Sequence, residues 1–233
     1  MSSDRLTVRR AEVTFACRIL AAHGQGDTVY GHVSVRDLRG RGFWMKPAGL
    51  GLEEIRPANL ILVDLDGEVL AGRRPRHVEY PIHAELYRAR REIQAVVHTH
   101  PPHATAFSAL RVPLRPVSHE ACVFVPPDVP RFAETTDLIV TPELGRAVVK
   151  TLGSAWAVLL ENHGIVTAGE SVADACIRAL LLEKAAKMQL LTDGREQAWT
   201  GDEEALRKRD RLYHPRAVQS VWAYLIRQIE HRR

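Results

Sequence analysis

Hydrophobic positions recur at helical spacing from Leu6 to His23 (Val8, Val13, Phe15, Ile19, Leu20), and Gly24 follows as a stop, which predicts a first helix. His32 to Arg36 alternates and reads as a strand, and Gly42 to Lys46 as a short second one. Leu60 to Leu70 predicts a hairpin: Leu60-Ile61-Leu62-Val63, the turn pair Asp66-Gly67, then Glu68-Val69-Leu70. A helix is expected from Pro81 to Arg90, since proline at a helix start forfeits no hydrogen bond. The apolar run Ile93 to Thr99 predicts a buried strand, and His103 to Leu110 a short helix after the Pro101-Pro102 break. Arg111 to Thr141 is rich in proline and carries weak signals. Trp156 to Glu161 reads as another buried strand with Gly164 to Thr167 as its partner, Ser171 to Leu191 as a long helix capped by Ser171, and Asp202 onward as helical with a break near Pro215. Strands that turn back on one another between helices predict one α/β domain over residues 1–233: a central, mainly antiparallel or mixed sheet covered by helices, with a helical C-terminal extension at 202–233.

Composition narrows the setting. With 45% hydrophobic residues the chain has ample core material, and its formal net charge is only +4, with a pI of about 9.1. The basic patches, Arg73, Arg74 and Arg76, then Arg88, Arg90 and Arg91, form no long stripe with interleaved aromatics. Nucleic-acid binding is therefore not expected, whereas attraction of an anionic small molecule is. Cys17, Cys122 and Cys176 are odd in number and lack a C-x-x-C pair, which fits a reducing, cytoplasmic setting. No apolar run approaches the roughly 20 residues of a membrane span.

The chemistry is concentrated in a few short stretches. On a strand, His98 and His100 would share a face, an arrangement suited to chelating a transition metal. Alone, such a pair more often simply hydrogen-bonds at a strand end. His163, after the second buried strand and before Gly164, would supply a third imidazole, and three histidines with an open position suit a catalytic metal. Glu79, just ahead of a helix, is a candidate ligand, general base or general acid, although a glutamate near a helix N-terminus is also ordinary surface chemistry. His83, one turn on, is placed to support it.

Taken together, Glu79-x-x-x-His83, Ala95-Val96-Val97-His98-Thr99-His100-Pro101 and Asn162-His163-Gly164, preceded by Gly31-His32-Val33-Ser34-Val35-Arg36 and Lys46-Pro47-Ala48-Gly49, resemble the class II aldolase/adducin family over about residues 8 to 192. The resemblance implies a three-layer αβα fold and a homotetramer with active sites near subunit interfaces. It implies one divalent metal per subunit, Mn²⁺ or Zn²⁺ with Co²⁺ or Fe²⁺ also compatible, on His98, His100 and His163, and a catalytic glutamate at Glu79 that can also ligate the metal. The family's phosphate-binding positions are His32, Ala48, His77 and Val78 here, so its small hydroxyl and amide groups are mostly replaced. This departure, and the Gly-His-Val-Ser-Val-Arg form of the first motif, resemble members that decarboxylate hydroxylated aromatic or heteroaromatic dicarboxylates. A 3-hydroxy-2-methylpyridine-4,5-dicarboxylate, as in vitamin B6 degradation, or a dihydroxyphthalate is the expected substrate, with the charge of a carbanion or enolate stabilised by the metal. His32, Lys46 and Arg76 are the expected contacts to its carboxylates. Three alternatives stay open: an aldolase acting on a small hydroxy-ketone or sugar phosphate, a non-catalytic adducin-like interaction module, and an iron hydroxylase.

Overall fold

The computed structural model describes residues 3–192 and 198–231. Eight strands form one sheet: β1 (His32–Arg36), β2 (Phe43–Met45), β3 (Ile61–Val63), β4 (Val69–Ala71), β5 (Ala95–Thr99), β6 (Arg131–Phe132), β7 (Ala157–Leu160) and β8 (Gly164–Gly169). Their order is β4-β3-β2-β1-β5-β8-β7-β6, and every pair is antiparallel except β6 with β7. The helices are α1 (Ser3–Leu20), α2 (Tyr80–Ala89), α3 (Pro102–Ser108), α4 (Pro142–Leu152), α5 (Val172–Thr192), α6 (Asp202–Leu212) and α7 (Pro215–Glu230). Among the described residues no helix is long and apolar enough to cross a membrane.

The two-residue period of the strands separates two cores. Val33, Val35, Trp44, Leu62, Ala95, Val97, Leu159 and Ile165 pack on one face with α1, α3, α5 and α7. Phe43, Met45, Ile61, Val63, Val96, Val158, Leu160 and Val166 pack on the other with α2 and α4. This is the three-layer arrangement expected from the sequence. Each fully buried valine or leucine contributes on the order of 1.5–3 kcal/mol, so slipping a strand by one residue is strongly opposed on both faces. The same register fixes which polar residues are forced inside.

Local signals account for most boundaries. Gly24 adopts φ 78° beyond α1, where the helix ends in a single wide turn. At the Asp66-Gly67 turn, Gly67 has φ 96° and Asp64 accepts from the N–H groups of Asp66 and Glu68, both at 2.9 Å. Ser171 Oγ accepts from Asp174 N at 3.1 Å at the start of α5. Two elements have no counterpart in the sequence analysis. Helix α4 carries ordinary signals, with Thr141 Oγ accepting from Leu144 N, Pro142 in the first turn and Gly153 beyond the end. Strand β6 has only two residues and exists through its parallel pairing with β7, which no local pattern encodes.

Candidate metal centre

Three segments converge on the α2 side of the sheet. Strand β5 turns Val96 toward the α2 core, so His98 follows onto the same face. Glu79 is the residue immediately before α2. His163 lies in the turn between β7 and β8, where Asn162 takes φ 57° and His163 N donates to Leu160 O at 3.1 Å. Gly164 is required there: a Cβ would lie 2.5 Å from Thr99 O and 2.8 Å from His100 Cδ2. One ligand atom from each of Glu79, His98, His100 and His163 lies within 4.8 Å of all the others.

Hydrogen bonds on the far side of the rings fix the state of the near side. His98 Nδ1 lies 3.0 Å from Ile165 O, a carbonyl that only accepts, so Nδ1 carries the proton and Nε2 is bare. His100 Nδ1 lies 2.9 Å from Asp27 Oδ2, and the carboxylate selects the same tautomer. The two Nε2 atoms stand 3.1 Å apart, with no proton left to share between them. His163 Nε2 is buried with no hydrogen-bond partner and lies 3.6 Å from Glu79 Oε1, while His98 Nε2 lies 3.6 Å from Glu79 Oε2. Lone pairs that converge beside a carboxylate repel one another unless a cation lies between them. The donor set therefore fits a divalent metal ion.

Burial raises the Glu79 carboxyl, but the His98 and His163 imidazoles and the N–H of Ile139, 2.8 Å from Oε1, outweigh it and hold the pKa at about 2. Burial, reinforced by His98, lowers His163 to about 4. Burial also lowers His100, with Asp27 opposing. These rings remain neutral at physiological pH, the form in which imidazole binds metal.

The expected substrate contacts are less open than a surface charge would be. Lys46 is fully buried, and its ammonium group reaches Val29 O at 2.8 Å, His77 Nε2 at 3.1 Å and Pro47 O at 3.4 Å. Burial lowers its pKa to about 8. His77 Nε2 also lies 3.0 Å from Pro47 O, a carbonyl that only accepts, so this nitrogen carries the proton and the Lys46 donors fall to the Val29 and Pro47 carbonyls. Arg76 is half-buried, donates to Gly67 O at 2.5 Å and stacks over Tyr80, with its guanidinium 4.0 Å from the ring centre. It braces the β3–β4 hairpin against α2. His32 is buried, with its ring centre 4.9 Å from that of His98 and 4.5 Å from that of His77. His83 does not support Glu79: its ring nitrogens bond His32 and Ser34. Asp27 and the Ile139 N–H were missed by sequence reasoning. Asp27 lies 73 residues from His100, and a backbone donor has no sequence signal.

The buried imidazoles make the metal-free protein sensitive to acid. Burial, with Lys46 adding to it, lowers His77 to about 3. Burial and neighbouring imidazoles lower His32 and His83 well below the ordinary value, as they do His163. Below pH 6.5 the unfolded chain binds protons that these folded sites refuse, so stability falls with falling pH, by up to about 1.4 kcal/mol per unit for each histidine. Glu79 adds to the loss below pH 4.5, whereas the pH dependence that Lys46 contributes begins only above about pH 8. Urea denaturation of protein stripped with a chelator should show markedly lower stability at pH 5 than at pH 7. Equal stability at the two pH values would mean that the folded imidazoles accept protons freely.

Comparison with known proteins places this geometry in a family. The description "Class II Aldolase and Adducin N-terminal domain" matches residues 11–190. The decarboxylase NovR of Streptomyces niveus is 39% identical over 153 residues, 65% of this chain and 56% of NovR, so the chain matches little more than half of that relative. A 3,4-dihydroxyphthalate decarboxylase of Arthrobacter keyseri is 31% identical over 196 residues, covering 78% of this chain and 77% of the relative. The solved structure of L-fuculose 1-phosphate aldolase from Glaciozyma antarctica PI12 superposes with a TM-score of 0.87 at 29% identity, covering 97% of this chain and 90% of that one. The chain belongs to the class II aldolase and adducin family.

Proposed function

We propose that this protein is a divalent-metal-dependent decarboxylase of a hydroxylated aromatic or heteroaromatic dicarboxylate. The observation that carries the reading is the convergence of three imidazole Nε2 atoms and the Glu79 carboxylate, with the protons of His98 and His100 fixed on their far sides. Such a set would hold a divalent cation. His98, His100 and His163 would hold the metal, with Glu79 beside them. When bound, the metal supplies Lewis acidity for negative charge that develops on the substrate, worth several kcal/mol.

The remaining chemistry falls to the chain's own groups. Glu79 begins as a carboxylate and accepts the proton of the substrate's ring hydroxyl at one carboxylate oxygen. The C–C bond to the leaving carboxylate breaks, CO₂ departs, and the electron pair stays on the ring carbon. Glu79 then returns its proton to that carbon, and one proton from solvent restores the ring hydroxyl. Support for a carboxy-lyase comes from the relatives named as decarboxylases and from the imidazoles His32 and His77 at positions where sugar-phosphate aldolases hold phosphate. A dihydroxyphthalate or 3-hydroxy-2-methylpyridine-4,5-dicarboxylate is the substrate proposed. The same proposal takes the protein as a homotetramer with sites near subunit interfaces. The exposed Val78, Leu138 and Val140, which flank Glu79 and Ile139 in sequence, suit a mouth covered by a neighbour.

A second reading, aldol cleavage, is favoured by the likeness to L-fuculose 1-phosphate aldolase. Product analysis separates the two. Purified protein with Mn²⁺ or Zn²⁺ should release CO₂ from one of a panel of hydroxyaromatic dicarboxylates and should not cleave sugar phosphates. Aldehyde release without CO₂ would replace the decarboxylase reading with the aldolase one. Protein lacking stoichiometric metal and both activities would favour the interaction module.

A further inference from the structure

Beside the metal cluster runs a buried chain of hydrogen bonds that the chemistry above does not use. Glu79 immediately precedes α2, and His83 and Tyr87, four and eight residues on, face β1, which presents His32 and Ser34 two residues apart. Tyr87 Oη lies 2.7 Å from Ser34 Oγ, Ser34 Oγ 2.6 Å from His83 Nδ1, and His83 Nε2 2.6 Å from His32 Nδ1. Tyr87, Ser34, His83 and His32 are all at most 1% exposed. The chain ends at His32 Nε2, which has no protein partner among the described residues and, unlike His163 Nε2, is not a sealed unpartnered atom. The His32 ring centre lies 4.5 Å from that of His77 and 4.9 Å from that of His98, so the ring borders the metal cluster.

A buried polar chain is costly unless every member is satisfied. Here each interior atom has a partner, and the geometry dictates how. His83 is hydrogen-bonded at both nitrogens, and a neutral imidazole has one proton, so it donates to one neighbour and accepts from the other. If Ser34 donates to His83 Nδ1, then His83 donates to His32 Nδ1, and the proton of His32 is on Nε2. If Ser34 donates to Tyr87 instead, His32 Nε2 is bare. The direction of one hydroxyl thus decides whether His32 offers a donor or an acceptor. A dicarboxylate with an ionised ring hydroxyl presents acceptors only, so it matches the first arrangement, in which Tyr87 donates to Ser34.

We propose that His32 donates an uncharged hydrogen bond from Nε2 to the substrate, and that His83 and Ser34 are positioning residues that fix its ring and tautomer. Lys46 donates to the Val29 and Pro47 carbonyls, and Arg76 to those of Gly67 and His77. This proposal rests on the hydroxyaromatic reading of the site, yet its test needs no turnover.

The probe is 2,3-dihydroxybenzoate, titrated by calorimetry into the Mn²⁺-loaded full chain, with metal content measured on every variant. Ser34→Ala should weaken binding about tenfold, the scale of one lost hydrogen bond, with metal content unchanged. In a His32→Ala background, itself weakened about tenfold, Ser34→Ala should have no further effect, because Ser34 acts only through His32. Tyr87→Phe leaves Ser34 free to donate to His83 and should bind within about twofold of wild type. A network that merely braces α2 against β1 predicts otherwise: Ser34→Ala would have the same effect with or without His32, and Tyr87→Phe would weaken binding as much as Ser34→Ala. Either result overturns the proposal, as does a Ser34→Ala variant that binds like wild type. Should Ser34→Ala fail to fold, the Tyr87→Phe comparison with His32→Ala decides in its place. A metal-loaded wild type that does not bind the probe overturns the proposal while leaving the metal centre standing. A wild type that binds no metal sinks the reading of the site itself.

Discussion

His163→Ala should leave the protein folded and at least as stable as wild type without metal, while stoichiometric metal is lost and turnover falls about a thousandfold or more. The first half follows from what His163 does in the absence of a cation. Its Nε2 is buried with no partner, and burial has lowered its pKa to about 4. Removing the ring relieves an unsatisfied polar atom, which costs on the order of 1–3 kcal/mol to keep, and offsets the loss of its packing. The second half follows from the ligand count: two imidazoles and a carboxylate remain, and the several kcal/mol of Lewis-acid stabilisation corresponds to about three orders of magnitude in rate. His98→Ala makes the contrast, since it removes a fully buried ring and its 3.0 Å hydrogen bond from Nδ1 to Ile165 O, and it should lower stability as well as metal content. Metal analysis, thermal denaturation with chelator and CO₂ release on the same preparations check all three quantities. A His163→Ala protein that keeps one metal per chain and turns over normally would remove this residue from the site.

The part of the site that could be read from sequence is the part set by short periods. A strand repeats every two residues, so His98 and His100 were a pair before any fold was known, and the apolar run ahead of Asn162 carried His163 to a strand end. Glu79 was visible as a carboxylate at a helix start. What brings these segments together is sheet register, with His98 opposite Val166 on β8 and opposite His32 on β1, and that order came from the family resemblance rather than from spacing. The groups that tune the site were out of reach for a physical reason. Asp27 holds His100 across 73 residues, and Ile139 holds Glu79 across 60 through a backbone N–H that every residue but proline possesses. His83 was expected to serve Glu79, four residues before it, and instead turns toward β1. Helical spacing alone did not say which of two adjacent partners would claim the ring. Helix α4 carries legible signals in Thr141, Pro142 and Gly153, next to a proline-rich stretch whose own signals are weak. Strand β6, two residues held by pairing alone, had no such signs.

Glu79→Gln should lower turnover by a hundred- to ten-thousandfold, the range for losing a positioned acid–base group, with far less effect on metal content than His163→Ala. The amide keeps the length of the side chain and an oxygen that can accept from Ile139 N, so the segment before α2 stays in place. It loses the two properties the proposed chemistry needs, a carboxylate that starts unprotonated and an oxygen that can carry a proton from the ring hydroxyl to the ring carbon. The low pKa of Glu79, about 2, means the free protein presents the base form at every ordinary pH, so the proton it delivers must come from the substrate and not from its own resting state. Reaction in D₂O gives a direct check: the hydrogen that replaces the departing carboxylate should come from exchangeable sites and appear as deuterium at that carbon. With Glu79→Gln the same product should form slowly, with protonation slowed relative to C–C cleavage, so the solvent isotope effect should rise. Normal turnover and an unchanged isotope effect would take the proton transfer away from Glu79. Loss of metal as complete as in His163→Ala would instead make Glu79 chiefly a ligand, since the carboxylate lies 3.6 Å from both the His98 and the His163 nitrogens.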